Sequence, residues 1–326
     1  MTSTKVVFLT GLRPRLIEEV LSYAPSHYQI VVVDRTISEE EKIKQVSDAD
    51  FLLCYGQDPS DKVLRSLKKC RLVQLLAAGY DRINLGILEE LGIPCSNNGG
   101  ANSWAVADHA VLLMLAVYKQ LLASVISTRK DAWSLPITGE NTFEMANKKI
   151  GILGLGNIGK QVAKRVQGFD ATVIYHDIYR MNGDDEKKLD VSYVSLRELF
   201  KESDILTCHT PLTGNTKHIV NDQTLSMMKP SSVVINTSRG EVVDERALIR
   251  ALNAGVVAAA GLDVFEREPV DKENPLLRMD NVIVTPHMAG TTWDTWARRA
   301  KFGFENMKRV NHGNLPESIV RNFDAS

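Results

Sequence analysis

Short apolar runs recur along this chain and alternate with longer stretches whose apolar residues return every three or four positions. The runs at residues 5–10, 29–33, 50–54 and 72–76 come first; those at 150–153, 172–175, 204–209, 231–237, 256–262 and 282–285 follow. A continuous apolar run bounded by turn residues suits a strand buried on both faces, and helical stretches between such strands suit parallel pairing through crossovers. The pattern predicts an α/β protein built on doubly wound parallel sheets.

Between the two groups of strands, Asn97-Asn98-Gly99-Gly100 is a dense turn signal that marks a domain boundary. Residues 102–122 then read as one long helix, with Ser103 as its cap and apolar side chains on nearly every side, which places it at a domain junction. Residues 129–140, with Trp133, Pro136 and Gly139, read as an irregular link, and the polar MNGDDEKK stretch starting at Met181 as a surface loop. Residues 244–253 and 293–312 read as helices, the last able to cross back to the first domain.

The run at 150–153 opens into Gly154, Gly156 and Gly159, spaced G-x-G-x-x-G, with good helix formers after them. Gly154 permits the tight turn, Gly156 lets a pyrophosphate approach the backbone, and Gly159 lets the helix pack on the strand. The free N–H groups of the helix N-terminus then face the phosphates. The next apolar run ends at Asp177, the offset expected of an acid that accepts hydrogen bonds from the adenosine ribose and repels a 2′-phosphate. NAD is therefore the expected cofactor, with nearby Arg180 able to soften the preference over NADP.

Composition narrows the reading. The 326 residues suffice for two domains, and a formal net charge of −1 with dispersed signs gives no reason to expect nucleic acid or membrane as partner. Cys54, Cys70, Cys95 and Cys208 show no C-x-x-C pair or metal spacing, so no metal is expected and the thiols read as reduced, in a cytoplasmic protein. No signal peptide or membrane-spanning run is apparent.

Three strands of the second half end in residues capable of chemistry: Ser238-Arg239-Gly240, then Asp263 with Glu268-Pro269, then Pro286-His287. In a doubly wound sheet all three ends share the carboxyl edge with the glycine turn. Arg239 can grip a carboxylate in two parallel hydrogen bonds and polarise a neighbouring carbonyl. His287 can move a proton near neutral pH, and a carboxylate such as Glu268 would orient it. Carboxylate anchor, proton shuttle and hydride acceptor together are what oxidation of a 2-hydroxy acid requires.

The stretches GILGLGNIGKQVAKR, VINTSRGEVVDERALIRAL, GLDVFEREP and TPHMAG, with the LLAAGYD turn, resemble the D-isomer-specific 2-hydroxyacid dehydrogenases, in family order and over nearly the whole chain. The resemblance implies a flavodoxin-like substrate domain (residues 1–100 with 292–326), a Rossmann NAD-binding domain (101–291) and a cleft between them. It implies that Arg239 binds substrate, Glu268 partners the histidine and His287 is the acid/base. Amides of Ala78 and Gly79 would hold the carboxylate of a small 2-hydroxy or 2-oxo acid. Asn157 and Ile158 would meet the pyrophosphate, Asp177 the ribose, and Thr210, Thr237, Ser238, Asp263 and Gly290 other parts of NAD. Similar proteins are homodimers.

Departures are few. Phosphite dehydrogenases carry lysine where this chain has Ala78, and Asp108 and Ser238 stand where the family more often has Glu and Ala. Tyr80, Trp133, Trp293 and Trp296 are large groups able to narrow a pocket. The alternatives are an NAD-sensing protein similar to the C-terminal-binding corepressors and a formate-type dehydrogenase.

Overall fold

Val6, Val7, Phe8 and Leu9 are all inaccessible to solvent, and a strand with no polar face belongs in the middle of a covered sheet. In the computed structural model, which describes residues 4–56, 58–130 and 139–321, β1 (Thr4–Thr10) takes that place. It pairs with β2 (Tyr28–Asp34) on one side and β3 (Phe51–Tyr55) on the other. β4 (Leu72–Leu75) and β5 (Cys95–Ser96) extend the sheet, all parallel, in the order β2-β1-β3-β4-β5. This sheet organises a unit formed by Met1–Asn102 and Thr291–Ser326.

The final helix, Trp293–Asn311, belongs to that unit because Trp296, Ala300, Phe304 and Met307 fall on one face and join the core with Phe8, Phe51, Leu53 and Leu76. A buried polar cluster pins it in place. Asn306 Nδ2 donates to Gln74 Oε1 (2.9 Å) and Ser96 Oγ (3.0 Å), while Gln74 Nε2 donates to the Asn97 carbonyl (2.8 Å). Trp296 is therefore core, edge-on to Tyr55, and is not free to line a pocket. Trp293 is half exposed beneath the Arg15 guanidinium, and Trp133 lies outside the described residues.

The second unit, Ser103–Gly290, carries seven parallel strands. They are β6 (Lys149–Leu153), β7 (Thr172–His176), β8 (Ser192–Tyr193), β9 (Ile205–Cys208), β10 (Val233–Asn236), β11 (Ala259–Leu262) and β12 (Val282–Val284). Their order, β12-β11-β10-β9-β6-β7-β8, reverses direction at β6, so the crevice between the carboxyl ends of β6 and β9 is the switch point where such sheets bind ligands.

Two expectations about helices need correction. The reading of residues 102–122 as one helix fails at Gln120, whose left-handed backbone (φ 46°) ends helix Ser103–Tyr118 and starts Leu121–Arg129 at a 62° bend. Ser103 is the first helical residue rather than a cap, and Trp104 and Leu112 are exposed, so the helix is not buried all round. The stretch read as a surface loop contains helix Gly183–Leu189. Asn182 caps it, acids fill its first turn and lysines its last, an ordering that suits the helix dipole. Among the described residues no single helix is long and apolar enough to cross a membrane.

All four cysteines are buried free thiols. Burial raises Cys54 and pushes Cys70 up to about 11 and Cys95 and Cys208 to about 12, so thiolate is scarce at neutral pH. A thiol reagent should label the native protein slowly and the unfolded protein fully. Fast native labelling would show that these strands open readily. His209, after β9, is pushed down to about 3 by burial and stays neutral. The unfolded histidine takes up its proton near the ordinary value of 6.5, so stability is lost as pH falls from there toward 3. Denaturant midpoints across that range should fall more steeply for the wild type than for His209→Gln; parallel curves would contradict the assignment.

Candidate active site

The glycine turn has the geometry that each residue implies. Gly154 is left-handed (φ 94°), and a Cβ there would lie 2.9 Å from the Thr210 nitrogen on the neighbouring strand end. At Gly159 a Cβ would lie 2.3 Å from the Gly154 carbonyl oxygen, so the helix can start against the turn only without one. Gly156 differs: among the described residues a Cβ there would meet nothing within 4 Å. Its lack of a side chain leaves open the space in front of helix Asn157–Gln167, whose first turn receives no side-chain cap. An uncapped N-terminus with clear space before it is what a pyrophosphate needs.

Asp177 follows β7 and accepts from the Leu155 amide through Oδ2 (2.7 Å) and from the Tyr179 amide through Oδ1 (3.0 Å). It ties the glycine turn after β6 to the end of β7. Thr210 Oγ1 and Thr237 Oγ1 are buried without a hydrogen-bond partner among the described residues. Unsatisfied buried hydroxyls are rare and invite a ligand. The residues present fit a dinucleotide, and Gly156→Ala tests the fit. The fold should survive, because the space is empty, while NADH binding weakens by about tenfold or more through lost phosphate approach. Unchanged binding in a calorimetric titration would contradict this.

Arg239, Glu268 and His287 are delivered by the adjacent strands β10, β11 and β12. The turn after β10 is held by Asn236, whose Nδ2 donates to the Arg239 carbonyl (2.8 Å) and whose Oδ1 accepts from the Ser238 amide (3.0 Å) and hydroxyl (2.8 Å). The Ser238 hydroxyl, assigned to the cofactor by resemblance, thus serves the turn. Arg239 is half-buried and donates from Nη1 to the Ser238 carbonyl (2.8 Å). Next to it, Gly240 passes so close to Phe265 that a Cβ would lie 1.8 Å from the Phe265 carbonyl carbon. That contact joins the arginine turn to the glutamate turn, where Glu268 Oε1 accepts from the Phe265 amide (3.1 Å).

The other Glu268 oxygen, Oε2, lies 2.6 Å from His287 Nδ1. A carboxylate can only accept there, so Nδ1 carries a proton and Nε2 is left for a substrate. His287 adopts a left-handed backbone (φ 51°), uncommon for a residue with a side chain. Asp263 holds it so. The Asp263 carbonyl accepts the His287 amide (2.7 Å), and its carboxylate accepts from Thr285 Oγ1 (2.6 Å) and the amides of Met288 (2.9 Å) and Ala289 (2.8 Å). Sequence reasoning missed the next member, His109, whose Nε2 lies 2.9 Å from Thr285 Oγ1. Thr285 gives its only proton to Asp263, so His109 donates to it. The signal available was a histidine within a largely apolar helix.

Ala78 and Gly79 belong to the first unit, in the turn after β4, where the Ala78 carbonyl accepts from Asn97 Nδ2 (3.0 Å). Gly290 ends the second unit.

Residues 111–289, more than half of the chain, match the model of the D-isomer specific 2-hydroxyacid dehydrogenase NAD-binding domain. The chain belongs to the D-isomer specific 2-hydroxyacid dehydrogenase family. A glyoxylate reductase of Korarchaeum cryptofilum is 35% identical over 96% of this chain and 95% of its own length. Among solved structures, a glyoxylate reductase from Paecilomyes thermophila aligns with a TM-score of 0.81 at 28% identity, over 97% of this chain and 98% of its own. An acyclic imino acid reductase in complex with NADPH and D-Arg aligns with a TM-score of 0.85 at 26% identity, over 97% of this chain and 100% of its own. This 2-hydroxyacid dehydrogenase is thus an NAD-dependent oxidoreductase with two parallel α/β units, the second a Rossmann domain. The corepressor-like and formate-type alternatives are not favoured.

Proposed function

We propose that the enzyme interconverts a small D-2-hydroxy acid and its 2-oxo acid, of the size of glyoxylate, hydroxypyruvate or pyruvate, at Arg239, Glu268 and His287. The observation that carries this reading is the 2.6 Å contact of His287 Nδ1 with Glu268, which leaves Nε2 as the proton-transferring atom. Bound NAD supplies the hydride acceptor in oxidation and, as NADH, the donor in reduction. During reduction His287 gives the Nε2 proton to the carbonyl oxygen, and in oxidation it takes the hydroxyl proton back. Glu268 stabilises the imidazolium and fixes its ring. Arg239 binds the carboxylate and draws electron density from the carbonyl, which favours hydride addition at C2.

Glyoxylate leads the substrate proposals because the relatives named above include glyoxylate reductases. Steady-state reduction of a panel from glyoxylate to branched and aromatic 2-oxo acids tests this. The small acids should show the highest kcat/KM with NADH. A clear preference for the bulky acids would overturn the size assignment.

We further propose a homodimer. Trp104, Leu112, Leu121, Leu122 and Ile126 are exposed on two consecutive helices, a concentration of apolar surface that a second copy would cover. Leu122→Glu should shift the sedimentation profile toward monomer; an unchanged profile would place the interface elsewhere. A cytoplasmic setting without nucleic acid or membrane partners completes the proposal, supported by four buried free thiols and a formal net charge of −1.

A further inference from the structure

Arg180 stands three residues beyond Asp177, in the connection that carries the ribose-binding acid. An arginine there, with its side chain 62% exposed, has the charge to grip a 2′-phosphate and to offset the repulsion from Asp177. The structure directs it elsewhere. Its Nε donates to Glu186 Oε1 (3.1 Å) and its Nη2 to Oε2 (3.2 Å), a two-point grip, and the guanidinium lies over the Tyr193 ring at 5.1 Å.

Glu186 is itself fixed. It is a buried residue on helix Gly183–Leu189, and its Oε1 also accepts from the hydroxyl of Tyr175, a fully buried residue of β7 (2.8 Å). That hydroxyl in turn accepts the Met181 amide (2.9 Å). The Arg180 guanidinium, then the Tyr175 hydroxyl, hold the Glu186 carboxyl below the ordinary range, so the tether is ionised at neutral pH. At the other end of the connection, the Tyr179 amide donates to Asp177 Oδ1 (3.0 Å), which fixes the backbone immediately before Arg180.

We infer that Glu186 is a specificity-determining residue that withholds Arg180 from the cofactor, so that NAD is favoured over NADP by an arginine held away as well as by an acid held in place. Asp177 supplies the direct repulsion and Glu186 removes its antidote. This inference rests on the dehydrogenase reading and concerns the ribose end of the same site.

The test titrates NADH, NADPH and adenosine 2′,5′-bisphosphate into the wild type, Glu186→Gln, Arg180→Ala and the double variant, with NADH-dependent turnover measured alongside. Gln keeps the size of Glu186 and an acceptor for Tyr175 but loses the charge that holds the guanidinium. Glu186→Gln should tighten NADPH and the bisphosphate by about tenfold, the scale of a new charge-assisted phosphate contact, with NADH binding unchanged. Adding Arg180→Ala should cancel the gain. In the wild-type background Arg180→Ala should leave NADPH binding as it was, an outcome that does not depend on how Glu186→Gln folds. NADPH binding unaltered in Glu186→Gln, a gain that survives removal of Arg180, or weaker NADPH binding in Arg180→Ala alone would each overturn the inference. Absence of NADH binding and turnover in the wild type would instead overturn the dehydrogenase reading.

Discussion

Replacing His287 with alanine is expected to lower kcat/KM for 2-oxo acid reduction by about a thousandfold, the middle of the range for loss of a positioned acid/base. NADH affinity and the unfolding transition should be unchanged. The separation follows from the placement of the side chain: 46% of it is exposed, it pairs with Glu268, and the turn is held through the backbone and Asp263. Glu268→Gln should cost less, because His287 Nδ1 keeps a hydrogen-bond acceptor and loses only its charge partner. Arg239→Ala should raise KM through the lost carboxylate grip, about 2–3 kcal/mol for a charged hydrogen-bonded contact, and lower kcat as well through the lost polarisation of the carbonyl. Near-normal turnover in His287→Ala would remove the proposed acid from the mechanism.

Gly240→Ala is the second variant with a large expected effect, and here the damage is to the frame. The added methyl would sit 1.8 Å from the carbonyl carbon and 2.0 Å from the carbonyl oxygen of Phe265, backbone atoms with no rotamer to take up the overlap. The turns carrying Arg239 and Glu268 must then separate. We expect about 3 kcal/mol of destabilisation, at the upper end for overpacking, together with loss of turnover in whatever protein remains folded. Gly156→Ala is the control, since its added methyl meets nothing. A Gly240→Ala protein as stable and active as the wild type would show that the two turns can part without cost.

The features legible in the sequence are those that depend on neighbouring residues. The apolar runs gave the parallel strands, because a strand buried on both faces has no polar alternation to confuse the reading. The three glycines of the phosphate turn were legible because each marks a local backbone demand. Arg239, Glu268 and His287 could be nominated because each follows a strand, and strand ends share one edge of the sheet. What escaped notice depends on long-range contacts. Helix Gly183–Leu189 looked like a polar loop because its anchor, Glu186, is buried only by meeting Tyr175 from another element. Trp296 looked like a pocket residue until its helix packed on the first sheet. His109 reaches Thr285 across 176 positions, a distance no local pattern spans.

The break at Gln120 belongs to a different class. Nothing in residues 115–125 forbids a continuous helix, yet the chain turns there in a left-handed conformation and leaves the next helix with no buried residue. A helix that exposes Leu121, Leu122 and Ile126 and buries no side chain is intelligible if a second copy covers it, which is the ground for the dimer proposal.

Proton transfer by His287, coupled to hydride transfer from NADH, is the central claim, and one experiment addresses it directly. Single-turnover oxidation of enzyme-bound NADH by glyoxylate, followed optically in the wild type and in His287→Ala, isolates the chemical step from product release. A rapid transient is expected in the wild type and, in the variant, the same NADH binding with a transient slowed by about a thousandfold. Equal transients in the two proteins would contradict it, as would tight NADH binding by the wild type with no oxidation by any small 2-oxo acid.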